Sequence, residues 1–405
     1  MKSVKERFLE YVAFDTQSED CVDAVPSTAK QFVLAKYLFD ELEAMGASDV
    51  FADEHAYVYA HIPGNNGSDR SLGFIAHMDT SPALSGFGVR PRVIENYDGA
   101  DIVLNKEKNI VMSVEAFPEL KGFCGQELIV TDGTTLLGAD DKAGVAEIMA
   151  MAEFLLSHPE VSHGPVSICF TPDEEVGRGA DFFDFERFGA SCAYTVDGGA
   201  FGEIEYETFN AASARVKING ASSHPGDAKG KMINALTIAR ELDTILPQHE
   251  RPQFTEGYEG FFHLDSMAGS VETAGMDYLI RDHDRNKFEA RKDIFRAACD
   301  KLNEKYGEGT VELNLTDSYY NMKDVLVNYM FLIDNACDAL RELGAEPVLP
   351  PVRGGTDGCR LSYEGLPCPN LCTGGGNYHG KYEYAVVASM EKTVELLIKL
   401  ASKGL

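Results

Sequence analysis

Apolar residues, among them Phe32, Leu38 and Leu42, recur at helical spacing from Ser27 to Met45, and Gly46 supplies a usual helix stop. A strand-like run, SLGFIAHMDT, follows. Beyond it, LIVTDGTTLLGADD predicts strands and turns, DKAGVAEIMAMAEFLLSH a helix, PVSICFTPDEE a buried strand and SCAYTVDGG another. Helices set between strands predict an α/β fold.

From about Ala212 the rhythm changes. Strand SARVKING, helix INALTIARELDTIL, strands FFHLDSMAGS and MDYLIRDHD, helix FEARKDIFRAACDKLNEKY and strand TVELNLTDSY give the order β-α-β-β-α-β of a ferredoxin-like unit. A helix from Met322 to Leu343 and short apolar strands around Leu366 to Leu371 then resume the first pattern. The expectation is one α/β domain in two parts, residues 1–211 and 322–405, interrupted by a smaller domain at 212–321.

Composition narrows the class. At 405 residues, with 44% hydrophobic and 25% charged positions, the chain reads as a soluble globular protein with room for more than one domain. Its 36 Lys and Arg face 65 Asp and Glu, for a formal charge of −29. A surface so acidic repels phosphate backbones and anionic headgroups, so neither nucleic acid nor membrane is expected as a partner. Nine cysteines without a CxxC pair fit a disulfide framework badly and suit a reducing cytoplasm. The opening MKSVKERFLEYV carries charge where a secretory signal needs an apolar stretch, and no run approaches the ~20 apolar residues of a membrane span. A cytoplasmic location is the expectation.

Candidate chemistry gathers where apolar runs end, which is where open α/β sheets place their ligands. Five such ends carry His77 with Asp79, Asp140 with Asp141, Asp173 to Glu175, Asp197, and His379. In FIAHMDTS, strand alternation sets His77 and Asp79 on one face, where the carboxylate would fix the imidazole tautomer; an isolated HxD is equally what a histidine beside a solvated acid gives. In GADDKAG, small residues let backbone approach closely, as a carboxylate bridging two cations requires, and as a helix-capping turn also would. The three acids of TPDEEVG repel one another unless cations or protons relieve them, or unless they lie in solvated loop. One could bind metal while its neighbour takes a proton from a metal-bound water. Together these ends supply two His, several carboxylates and no sulfur, a donor mixture that suits zinc, with cobalt or manganese as substitutes.

HMDT, GADDKAG, DEEVG, VDGG, SSHPGDAKGKMINA, RGGTDG and GGNYHGK, in this order, resemble the tripeptide aminopeptidases of the two-zinc exopeptidase family, which also contains carboxypeptidases, aminoacylases and succinyl-diaminopimelate desuccinylases. The likeness runs over essentially the whole chain. It implies a zinc exopeptidase-like mixed-sheet catalytic domain with an inserted ferredoxin-like α+β lid. It implies two zinc ions per chain, one held by His77 and Asp197, the second by Glu175 and His379, with Asp140 bridging both. Glu174 would be the catalytic base, Asp79 would orient His77, and the Asp140–Asp141 peptide would be cis. Metal-bound hydroxide would then attack the scissile carbonyl, with Glu174 passing the proton to the leaving amine.

His224, in SSHPG, is the candidate donor to the developing oxyanion, brought over the metals when the domains close; it would otherwise structure the turn before Pro225. Arg281 and Arg353 are candidates to clamp the peptide's C-terminal carboxylate. The resulting expectation is a tripeptide substrate and a part in peptide catabolism. Because pocket contacts outside the centre set specificity, the same chemistry on a dipeptide, an N-acyl amino acid or a succinylated diamine is the alternative. A metal-dependent binding protein without turnover is a third reading, one that loss of the base or of a ligand would mark. Relatives often pair through the smaller domain, which makes a homodimer through the lid an expectation.

Overall fold

Four short parallel runs organise the larger part of the chain. The computed structural model describes residues 1–405, which form two compact units. The first comprises residues 1–206, 325–350 and 356–405; the second comprises 207–324 with 351–355. The sequence pattern had placed the stretch around Arg353 with the C-terminal part of the first.

The first unit is built on a seven-stranded mixed sheet. Its strands lie in the order Ser48–Ala52, Val58–Ile62, Val166–Thr171, Leu72–His77, Cys192–Gly198, Asn370–Cys372, Ile204–Glu205. The four from Val166–Thr171 to Asn370–Cys372 run parallel, and the flanking strands pair antiparallel. The central strands read as continuous apolar runs because both faces are covered: Phe74, Ile168, Phe170, Tyr194 and Val196 are at most 1% exposed. Burying a side chain of that size is worth about 1.5–3 kcal/mol.

One covering element is the helix Ala139–Ser157, apolar on nearly every side and packed against the helices Val4–Tyr11 and Val387–Lys403. Its regular part begins only after Asp140 and Asp141, whose backbone angles are not helical. A second, four-stranded antiparallel sheet in the order Gly375–Gly376, Tyr384–Val386, Leu128–Val130, Arg92–Ile94 holds the segments leading to Asp140 and His379.

The second unit is a four-stranded antiparallel sheet in the order Phe261–Gly269, Thr273–Asp282, Asn210–Asn219, Val311–Tyr319. Alternate residues Ala212, Ala214, Val216 and Ile218 form one core with Ile238 and Leu242 of helix Ala235–Ile245 and with Phe288, Phe295 and Leu302, one heptad apart on helix Arg285–Tyr306. The β-α-β-β-α-β order and this strand arrangement are ferredoxin-like, as the sequence pattern predicted. The mixed α/β architecture of the first unit likewise agrees with expectation. One element differs: the helix predicted from Met322 to Leu343 is two pieces, Lys323–Leu326 and Met330–Glu342, because Tyr329 (φ −130°, ψ 30°) leaves the helical region.

Candidate metal centre

Three of the four parallel strands deliver their chemistry at their C-terminal ends. His77 is the last residue of Leu72–His77, and Asp197 the penultimate residue of Cys192–Gly198. Asp173, Glu174 and Glu175 follow Val166–Thr171. Asn370 opens the fourth parallel strand; it accepts the N–H of Asp197 at 3.0 Å and donates to Glu205 at 2.7 Å. Asp140 arrives through the turn after Leu128–Val130, and His379 lies between strands Gly375–Gly376 and Tyr384–Val386.

Two groups of side chains converge. His77, Asp140 and Asp197 bring one candidate ligand atom each to within 4.8 Å of one another, and so do Asp140, Glu175 and His379. Asp140 belongs to both. Its Oδ1 lies 2.9 Å from Nε2 of His77 and its Oδ2 lies 3.0 Å from Nε2 of His379. His379 also approaches Glu175 at 2.9 Å, and His77 approaches Asp197 at 3.4 Å. Glu174 falls in neither group, 4.0 Å from Nε2 of His77.

The supports of these side chains are local and specific. Nδ1 of His77 donates to the main-chain carbonyl of Asp79 at 3.1 Å, so Nε2 is the nitrogen that would offer its lone pair to a cation in the cluster. The strand ends at His77, so Asp79 is held by the neighbouring turn instead: its carboxylate accepts the N–H groups of Glu174 and Glu175. Asp141 accepts the N–H of His77 and of Gly144. A Cβ on Gly144 would lie 1.8 Å from the carbonyl of Val196, which explains the glycine of GADDKAG. The peptide between Asp140 and Asp141 is cis.

Non-glycine residues with φ near +57° mark the site: Asp173, Asn377 and His379. Asp173 is held there by Ser27, which donates from both its main-chain N–H and its hydroxyl, and by Gln31. Tyr378 donates to the carbonyl of Gly198 at 2.9 Å, tying the His379 loop to the strand that carries Asp197. The sequence pattern singled out the candidate ligands and Asp79 beside His77, but not the holds from Ser27, Gln31 and Tyr378. Asn370 and Asp173 lay inside apolar or acidic stretches already singled out, without a signal of what they would bind.

Electrostatics tests whether cations fit. Burial pushes Asp197 and Glu175 up to about 7 and Glu174 well above the usual carboxylate range. Asp140 is held below it, because hydrogen bonds from His379 and His77 outweigh its burial. Hydrogen bonds to Asp140 and Glu175 push His379 up to about 11. The ion pairs of these carboxylates are with the two histidines, and no lysine or arginine shares the cluster. Oε1 of Glu175 is buried without a hydrogen bond. A cluster of acids with an orphaned oxygen and mixed imidazole and carboxylate donors fits divalent cations.

The substrate-contact candidates all lie in the second unit. His224 is exposed and caps the turn Pro225–Asp227; its Nδ1 accepts the N–H of Gly226, so in the neutral ring Nε2 carries the proton. Arg281, on strand Thr273–Asp282, has its Nε buried without a partner and lies 5.7 Å from the Tyr319 ring. Arg353, the second candidate for the clamp, makes bonds inside its own unit. Its Nη1 donates to the carbonyls of Gly257 and Glu259 and its Nη2 to the hydroxyl of Thr255, so these donors secure a loop within the unit.

A mixed α/β sheet with such a cluster at its strand ends defines a metallopeptidase scaffold, and comparison with known proteins sharpens this. The family model Peptidase family M20/M25/M40 matches residues 132–403, and the chain belongs to that family; it is a peptide-bond hydrolase, a metallo-aminopeptidase. It is 54% identical to Peptidase T of Alkaliphilus oremlandii (strain OhILAs) over 403 residues, covering 99% of this chain and 98% of the relative. Among solved structures, a tripeptidase from Staphylococcus aureus subsp. aureus Mu50 superimposes with a TM-score of 0.78 at 21% identity, covering 99% of this chain and 97% of that one. An aminopeptidase PepT from Bacillus cereus ATCC 10987 does so with a TM-score of 0.76 at 24% identity, with the same coverage. No helix of the protein is long and apolar enough to cross a membrane.

Proposed function

We propose that the protein is a two-zinc aminopeptidase that removes the N-terminal residue from tripeptides. The observation that carries this reading is Asp140, one carboxylate whose two oxygens face the histidines of two separate ligand groups. We assign His77, Asp140 and Asp197 to one zinc, and Asp140, Glu175 and His379 to the other, with cobalt or manganese as substitutes. When bound, the two cations supply Lewis acidity, which makes water a stronger acid and stabilises charge on a carbonyl oxygen.

The chain's own residues do the rest. Glu174 stands beside the ligand groups without joining them, so its carboxylate is free to take a proton from the attacking water and return it to the leaving amine. Burial raises its affinity for that proton, which suits a base working near neutral pH. Asp79 holds the main chain of Glu174 and the ring of His77 in one arrangement. We assign to His224 Nε2–H the donation of a hydrogen bond to the developing oxyanion, and to Arg281 the capture of the peptide's C-terminal carboxylate. We regard the second unit, residues 207–324 with 351–355, as the lid, the unit through which a homodimer would form.

The choice of tripeptides is supported by the similarity to Peptidase T. A reducing cytoplasm is supported by nine cysteines, all free. The test is hydrolysis by purified, zinc-loaded protein of di-, tri- and tetrapeptides and of N-acyl amino acids, before and after chelation. Tripeptide cleavage that stops with chelator and returns with zinc is expected. A preference for acyl amino acids would move the substrate but keep the centre, and inertness on every amide in the presence of bound zinc would end the reading.

A further inference from the structure

One buried carboxylate outside the ligand groups is spent wholly on the main chain that delivers Asp140. Glu383 is 2% exposed, and it closes the NYHGKYE motif that also carries His379. Its Oε2 accepts the N–H groups of Leu137 at 2.7 Å and Gly138 at 2.9 Å, while its Oε1 accepts the N–H of Asp140 at 3.0 Å. The segment it grips includes Gly138 in the left-handed region, at φ +82°. Glu383 immediately precedes strand Tyr384–Val386, on the chain that has just left His379. One side chain therefore ties the loop carrying Asp140 to the loop carrying His379.

We infer that Glu383 is a positioning residue for the metal pair: it fixes the main chain of Asp140 so that both oxygens of that carboxylate reach their separate sites. The inference rests on Asp140 being the shared ligand proposed above. A shared carboxylate has less tolerance than an ordinary one, since any rotation that improves one contact spoils the other. Holding the N–H of Asp140 itself fixes the Cα from which the side chain extends. Outer groups of this kind tune metal affinity by setting the orientation of the ligands they support.

Glu383→Gln separates this role from simple packing. The amide keeps the shape of the side chain, but with its oxygen toward Leu137 and Gly138 its NH2 group meets the N–H of Asp140, donor against donor. The experiment is titration of the metal-free protein with cobalt(II), read by calorimetry and by the visible absorption of the bound ion, with circular dichroism following unfolding of the metal-free chain. The wild type should take up two cobalt ions. Glu383→Gln, folded and unfolding cooperatively without metal, should bind cobalt roughly 10- to 100-fold more weakly and with an altered spectrum. In the zinc-loaded state its kcat should fall while the KM for a tripeptide stays near that of the wild type.

Wild-type cobalt affinity and spectrum in a folded Glu383→Gln would overturn the inference. If Glu383→Gln fails to fold, Glu383→Asp, which keeps the charge but shortens the reach, carries the same comparison. Failure of both variants to fold would make the residue structural and would also overturn it. A wild type that takes up no cobalt would instead sink the metal reading beneath it, a different and recognisable result.

Discussion

Asp79 Oδ1 accepts the main-chain N–H of Glu174 at 3.0 Å and lies 3.4 Å from Nδ1 of His77, so one carboxylate sets both the proposed base and a proposed ligand. Its other oxygen accepts the N–H of Glu175 at 3.2 Å. Asp79→Asn keeps the shape but turns an NH2 group toward one of these donors. Weaker metal binding by about 10- to 100-fold is expected, together with a fall in kcat, because ligand and base move together. Cobalt titration and steady-state kinetics on one preparation would show both effects; a change in only one would separate the two roles.

Glu174 contributes no atom to either ligand group. Glu174→Ala is therefore expected to bind metal as the wild type does and to lose roughly 10²- to 10⁴-fold in kcat, the usual worth of a positioned general base. Equilibrium dialysis with zinc, followed by turnover measurements, checks it. Loss of a zinc ion in this variant would make Glu174 a ligand.

The two arginines are expected to diverge. Arg281→Ala should raise the KM for a tripeptide roughly 10- to 100-fold, as losing a charge-assisted bond of about 1.5–3 kcal/mol would, and should leave a C-terminally amidated tripeptide unaffected. Arg353→Ala should leave KM alone and lower the unfolding temperature, because its donors hold the carbonyls of Gly257 and Glu259. Paired kinetics on the free and amidated peptides distinguish these outcomes.

His224→Ala should lower kcat by about 10²- to 10³-fold with little effect on KM, since an oxyanion donor acts on charge that develops only in the transition state. A variant with unchanged kcat would leave His224 as the cap of its turn, where it accepts the N–H of Gly226.

Glu147 lies in the middle of helix Ala139–Ser157 with both oxygens buried and unpartnered. Burial pushes its carboxyl well above the usual range, so between the unfolded value near ~4.3 and its higher folded value the native state holds a proton that the unfolded chain has released. Folding stability from this group is therefore lost as pH rises through that window. Glu147→Met should remove this slope and be more stable than the wild type near neutral pH, by ~1–3 kcal/mol. Urea unfolding of both proteins at pH 5 and pH 8 measures it; parallel stability curves would show that Glu147 does not titrate in that window.

Much of the fold was legible because burial writes itself into the chain. The parallel strands read as apolar runs since both faces are covered, and Phe288, Phe295 and Leu302 repeat by heptads since one helix face meets a sheet. The metal-centre candidates were legible for a related reason: His77, Glu175 and Asp197 each stand within four residues of the end of such a run. Asp79 was singled out beside His77, but the main-chain N–H groups that it, Glu383 and Asp173 accept were not legible, because every residue but proline offers one and no side-chain pattern announces the partner. The bonds of Arg353 to the carbonyls of Gly257 and Glu259 leave no mark in the sequence for the same reason.

The sequence by itself determined which residue types stand at the ends of the strands, and so the donor chemistry on offer, because local periodicity and side-chain identity are written residue by residue. Only the tertiary structure decided that Asp140 faces two histidines, 63 and 239 positions away, and that Glu174 stands outside both groups. Those facts depend on which strands pair and on which main-chain donors hold each turn. Such pairings are long-range packing outcomes, and no window along the chain contains both partners.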